Sequence, residues 1–242
     1  MRPSKTTTFT LFEHLEELRS RIIICLAAVF AATAASYFYS EKLLEILLRP
    51  VASEIDKVYF FSPADAFLVR IKVSFLAGIL VSSPVVLSQL WFFVSPALRV
   101  RERRIVIPLC FLTSALFLSG AFFCFYFVLP LALKFLVGMQ TQVLRPMISI
   151  DSYVSFLSGM LLAFGVAFNV PVLILVLVFA GVLSSAFLNR YQRHAILLIF
   201  IAAAVLTPGP DIASQISLAV PLLLLFEMSV VGAKVVEFLK KR

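Results

Sequence analysis

The sequence predicts an all-α integral membrane protein: a bundle of six transmembrane helices, both termini cytoplasmic, the last two spans short, forming a concave scaffold with an outer-face cap. Three observations carry this. Of the 242 residues 62% are hydrophobic and the mean hydropathy is +1.05, well above the roughly 45–50% apolar share of soluble domains. Charged residues make up only 14% of the chain and cluster between charge-free runs at 22–40, 73–98, 105–133, 152–189, 194–210 and 212–226. These runs lack the period-2 alternation of strands, and lipid offers no partner to an open sheet edge, so they read as helices. Finally, with the N-terminus inside, 14 of the 21 Lys and Arg residues fall on the cytoplasmic side, the distribution that orients multi-pass chains. That asymmetry accounts for the net charge of +8 without a nucleic-acid partner.

Taken in order, residues 1–9 read as disordered. Thr10 and Glu13 then form a capping-box pattern that opens an amphipathic helix over 10–21, with Leu11, Leu15, Leu18 and Ile22 at helical spacing. Spans are expected at about 22–40, 73–96, 105–129, 152–180, 194–207 and 212–232, within one polytopic domain covering 1–242. The Ala32-Thr33-Ala34 triplet resembles a cleavage site, but the long acidic leader and long apolar run predict an uncleaved first span. Residues 41–70 mix charged and apolar positions with Pro50 and Pro63, predicting an outer cap of short helices at the interface. The final pair of spans flanks Thr207-Pro208-Gly209-Pro210-Asp211, a turn no helix can cross. Pro84, Pro108, Pro130, Pro171 and Pro221 lie in or at the ends of spans and predict bends. Ser155, Gly159, Ala163 and Ala167 form a small-residue stripe that reads as internal helix packing.

Nucleotide, zinc-protease and serine-hydrolase motifs are absent, and only two histidines are present, so no enzyme activity, cofactor or metal is expected. Cys25, Cys110 and Cys124 lack metal-ligand spacing and read as small core residues. Polar groups within spans are functional candidates by default: Asn169, Gln89, Gln215 and Glu227. Asn169 has two readings, a hydrogen bond to a carbonyl left open near Pro171 or an anchor for a partner helix. Glu227 is expected to snorkel or pair with Lys234 or a tail lysine. On the inner face, Glu13, Glu16 and Glu17 crowd Arg19 and Arg21, and Glu102 sits among Arg99, Arg101, Arg103 and Arg104. Such clusters are commonly solvated ion pairs; the alternative is a carboxylate site that accepts a guanidinium through paired hydrogen bonds.

Several stretches together resemble the TatC family over essentially the whole chain. They are Glu13-His14-Leu15-Glu16-Glu17-Leu18-Arg19-Ser20-Arg21, Ser83-Pro84 through Gln89-Leu90-Trp91, Pro96-Ala97-Leu98, Glu102-Arg103-Arg104, Ala163-Phe164-Gly165-Val166-Ala167-Phe168, and Leu206 through Asp211. The resemblance implies a non-enzymatic receptor for twin-arginine signal peptides in a prokaryotic cytoplasmic (inner) membrane. It further implies assembly with small single-span subunits of the TatA and TatB type to export folded proteins. By motif position, Glu17 and Glu102 would receive the two arginines, Glu13 and Arg103 would flank them, Arg19 would brace the inner face, and Pro96 would fix the loop carrying Glu102. Pro50, Pro208 and Asp211 would shape turns. Where the family usually has a glutamate, this chain has Asn169, which cannot ionise. It is expected to act as a neutral anchor for a partner helix together with Gln215 and Gln89.

Membrane lipid is the remaining expected partner, and the sequence leaves open a homo-oligomer within the complex. Two other readings stay available: a small-solute transporter or channel lined by Asn169, Gln89 and Gln215, and a scaffold that gathers subunits without a peptide site.

Overall fold

The computed structural model describes residues 11–52, 58–95, 106–138, 147–206 and 212–240. Their elements are α1 (Leu11–Tyr37), α2 (Ser40–Ala52), α3 (Asp65–Val94), α4 (Val106–Phe123), α5 (Leu129–Gly138), α6 (Ile150–Ala167), α7 (Val170–Phe179), α8 (Ser185–Leu206) and α9 (Ile212–Lys240), with a π-helical turn at Cys124–Val128 joining α4 to α5. Among the described residues five helical stretches are long and apolar enough to cross a membrane: Leu15–Tyr37, Asp65–Val94, Val106–Lys134, Ile150–Phe179 and Ala219–Phe238. α8, which carries Arg190 and Arg193, is not among them.

The helices outrun the charge-free segments, because a helix keeps its internal hydrogen bonds after it leaves hydrocarbon. Thus α3 begins at Asp65 and includes Arg70 and Lys72, which the sequence placed in a loop. The two segments expected as short spans lie in longer helices, α8 with 22 residues and α9 with 29. The 10–21 segment is likewise no separate helix from Leu11 onward but the first turns of α1. Two residues of its apolar stripe, Leu15 and Ile22, are 60% and 48% exposed, while Leu18 is half-buried. Pro50 lies inside the last turn of α2 rather than in a turn of its own.

Two departures from straight helices have local causes. Pro130 has no N–H to offer the carbonyl of Tyr126, and the chain passes that point as a π turn. The predicted fourth span breaks at Phe168 and Asn169 into α6 and α7, with Pro171 in the first turn of α7. There the Asn169 N–H bonds the Val166 carbonyl, 3.0 Å, one residue closer than in a regular helix.

α1 and α3 run antiparallel in close register, with Thr33 against Gly78 at one level and Arg21 against Gln89 eleven residues along α3. A Cβ at Gly78 would lie 2.2 Å from Thr33 Oγ1 and 2.8 Å from its Cα, so only glycine permits this approach. The main core forms where α3, the π turn, α5 and α6 meet, around Val73, Leu76, Cys124, Leu129, Leu157 and Phe164. Cys110 and Cys124 are buried and Cys25 is partly so. At the α2 end, Tyr59 N–H bonds the Ile148 carbonyl and Ile150 N–H the Tyr59 carbonyl, both 3.1 Å, and Tyr153 Oη donates to Leu47 O at 2.7 Å. Lys72 donates to Asp151 at 2.6 Å and Ser155 at 2.9 Å, linking α3 to α6.

The stripe read as internal packing is corrected here. Ser155 and Gly159 are exposed, and a Cβ on Gly159 would meet nothing within 4 Å. The close approach in this region is instead made by Gly120 of α4, whose Cβ would fall 2.6 Å from the Phe164 carbonyl.

Gly78→Leu is expected to push α1 from α3 and to lower stability by about 1–3 kcal/mol or more, the usual effect of overpacking. A thermal melt of the purified protein in detergent checks this, with Gly159→Leu expected to leave the midpoint unchanged.

Candidate functional site

At the end of the bundle where α1 begins and α3 finishes, Glu16, Glu17, Ser20, Arg21, Ile24 and Gln89 line an open depression of about 460 Å³. One helical turn separates Glu17 from Arg21, so both project to the same face of α1. Arg21 donates from Nε to Glu17 Oε1 at 3.0 Å, and its Nη2 also bonds that oxygen. Its Nη1 donates to Gln89 Oε1 at 3.1 Å, and the guanidinium carbon stands 5.8 Å from the centroid of the Phe92 ring, within cation–π range. The side chains of Arg21 and Glu17 are only 22% and 25% exposed, so this is more than a solvated surface pair. The arrangement is a guanidinium cradle made from a carboxylate, an amide oxygen and an aromatic face.

Just inward, Trp91 is buried and donates from Nε1 to Thr113 Oγ1 at 3.0 Å, fastening α3 to α4. Thr113 passes its own proton toward the Leu109 carbonyl, 2.8 Å. These residues open onto an apolar groove of about 360 Å³ that also takes in Val29, Phe117 and Asn169. A second apolar groove, about 450 Å³, runs between α6, α7, α8 and α9. Val166 and Val170 line both, so the α6–α7 break forms the ridge between them.

Asn169 sits on that ridge, where its side chain bonds an open carbonyl of its own chain. Its backbone N–H has shifted to Val166, leaving the Gly165 carbonyl open, and its own Nδ2 fills that place at 2.9 Å. Its Oδ1 is buried and receives no hydrogen bond from the described residues. The Gly165 carbonyl requires a donor, which fixes the amide orientation and makes the orphan the oxygen.

The structure separates residues that the sequence grouped. Gln89 does not join Asn169; the α3 register carries it to the Glu17 cradle. Gln215 donates to the Phe200 carbonyl at 2.9 Å, tying α9 to α8, and it does not line the Asn169 groove. Glu227 accepts from Gln192 on α8 rather than pairing with a lysine. Arg19 is exposed and does not line the cradle. Pro96, Glu102, Arg103, Pro208 and Asp211 lie outside the described residues, as does the side chain of Glu13. Among the described residues no three His, Cys, Asp or Glu side chains gather closely enough to hold a metal. The sequence reading missed Arg21 and Phe92 as site members. The i, i+4 spacing of Glu17 and Arg21 was the available signal, whereas Phe92 needed the α1–α3 register.

Residues 13–221 match the family described as Sec-independent protein translocase protein (TatC). The chain belongs to the TatC family. It is 39% identical over 228 residues to the Sec-independent protein translocase protein TatC of Carboxydothermus hydrogenoformans, covering 94% of each chain. It is 38% identical over 235 residues to the TatC of Aquifex aeolicus, covering 96% of this chain and 97% of the relative. The fold is similar to a crystal structure of the twin arginine translocase receptor TatC, with a TM-score of 0.84 at 36% identity, over 93% of this chain and all of the other. As a TatC-family member the protein is a membrane component of protein translocation.

Thr113→Val removes the acceptor of the buried indole and is expected to lower stability by about 1–2 kcal/mol. Trp91 is the sole tryptophan, so intrinsic fluorescence reports the change directly, with emission moving to shorter wavelength as the indole loses its polar partner.

Proposed function

We propose that this protein is the receptor subunit of a twin-arginine export system and binds signal peptides bearing an arginine pair at its cytoplasmic face. The observation that carries the reading is the cradle at Glu17, which already holds a guanidinium by the contacts a peptide arginine would need. A carboxylate can accept two parallel N–H bonds from arginine, whereas lysine presents a point charge, so such a site favours Arg-Arg over Lys-Lys. Glu102, from the segment following α3, supplies the second carboxylate, with Glu13 and Arg103 beside the pair. In this reading the six spans are α1, α3, α4 with α5, α6 with α7, α8 and α9. Both termini face the cytoplasm of a prokaryote, and α2 with the Tyr59 region caps the outer face. The apolar groove inward of Trp91 suits the hydrophobic part of a signal peptide. The apolar linings of both grooves speak against a hydrophilic solute pathway.

The orphaned Oδ1 of Asn169 supports the second half of the proposal, docking of small single-span partners. A buried acceptor without a donor is unfavourable by about 1–3 kcal/mol, and a hydroxyl or amide from a partner helix in the groove would relieve it. No charge step can run through asparagine, so its role is a neutral anchor.

Photocrosslinking from position 102, in membranes, tests the receptor reading. Peptides with Arg-Arg are expected to crosslink, Lys-Lys peptides to fade, and Glu17→Arg to abolish the signal; equal labelling by both peptides refutes it. For the anchor, Asn169→Leu is expected to reduce co-purification of the single-span subunits severalfold while the protein still folds. Intact assembly and export would exclude that role.

A further inference from the structure

Both bonds from Arg21 to Glu17 end on one oxygen, Oε1, and no described residue donates to Oε2. Glu17 is therefore half occupied by a cation from its own helix. A peptide guanidinium that is to bind in bidentate fashion needs both oxygens, and Arg21 stands on one of them. Arg21 also has somewhere to go. Its Nη1 already bonds Gln89 Oε1 at 3.1 Å, and its planar head lies against the Phe92 ring. Neither contact involves Glu17. A rotation of the side chain that gives up Oε1 can keep both.

We propose that Arg21 is a built-in stand-in for the peptide arginine. It occupies Glu17 in the resting receptor and, on displacement, is retained by Gln89 and Phe92. The inference rests on the receptor reading above and adds a regulatory step to the same site. Arg21 offsets the charge of Glu17 when no peptide is present, which limits the idle site's attraction for stray cations. Because an i, i+4 ion pair on a helix is weak, a ligand able to supply two parallel bonds displaces it. The apparent affinity for the peptide is lowered by the fraction of molecules in which Arg21 holds Glu17. Gln89 bonds Arg21 in the resting position and can keep that bond in the displaced one, so it retains the side chain without favouring either position.

The test uses the full-length protein in lipid nanodiscs and a fluorescent signal peptide carrying Arg-Arg, read by anisotropy. Arg21→Gln is expected to tighten binding by about threefold, the gain from making Glu17 available in nearly all molecules instead of about one in three. Arg21→Lys keeps the charge but loses the fork, and is expected to tighten binding to a smaller extent, which separates displacement from a simple change in local charge. Gln89→Leu is expected to leave peptide affinity unchanged, with Arg21 present or replaced by Gln, because the bond it removes is common to both positions. If Arg21→Gln and Arg21→Lys both weaken binding, Arg21 orients Glu17 for the ligand and the proposal is overturned. It is equally overturned if Gln89→Leu weakens binding by the same factor with and without Arg21. Failure of the receptor reading itself looks different, because Glu17→Gln would then leave peptide affinity unchanged.

Discussion

The antiparallel seam between α1 and α3 governs the rest of the molecule. Gly78 lets the two backbones meet at Thr33, and the helical rise then leaves no freedom in what lies opposite what. Moving about eleven residues along either helix, roughly 16 Å at 1.5 Å per residue, brings Arg21 to Gln89 and Phe92. A larger residue at 78 would alter the spacing and tilt of this pair. The cradle would lose its amide and ring even though every residue in it remained. An apolar contact deep in the bundle thus sets the chemistry at its surface.

Polar groups within the helices follow one rule. With no water in hydrocarbon, each must find its partner inside the protein. Thr113, Ser114, Ser158 and Ser229 donate back to carbonyls of their own helices, while Trp91 and Gln215 reach across to a neighbouring helix. Among the described residues two buried atoms break the rule, Thr33 Oγ1 at the Gly78 contact and Asn169 Oδ1, the latter at the break between α6 and α7, where both grooves meet. The second of these lies on the ridge between the two apolar grooves.

Helix class and the run of apolar segments were legible in the sequence because hydrophobicity and charge spacing are local properties. Boundaries were not, since charged residues such as Lys72 and Arg190 end a hydrocarbon run without ending a helix. The break at Asn169 was foreshadowed by Pro171, yet the run 152–189 shows no charge or turn cluster to split it. The site was half legible. Glu17 came from motif position, whereas its pairing with Arg21 was missed although their spacing on one helix signals it. Gln89 was misplaced because its partner lies 68 residues away in sequence, and only the α1–α3 register brings them together. The exposed stripe at Ser155 and Gly159 was misread because small residues permit close packing but do not compel it.

The end of α9 reaches back to the start of α8. Ser184 Oγ accepts the Phe187 N–H at 3.1 Å, and the Ser185 N–H donates to Glu237 at 2.6 Å, with the Ser185 hydroxyl bonded to the same carboxylate. Two of the four open amides at that helix start are thereby closed, one of them by a residue 52 positions later. Ribosomes add about 5–20 residues per second, so α8 emerges and waits roughly 3–10 s before its carboxylate exists. During that interval the start of α8, just ahead of Arg190 and Arg193 on the same helix, lacks the carboxylate that closes its first amide.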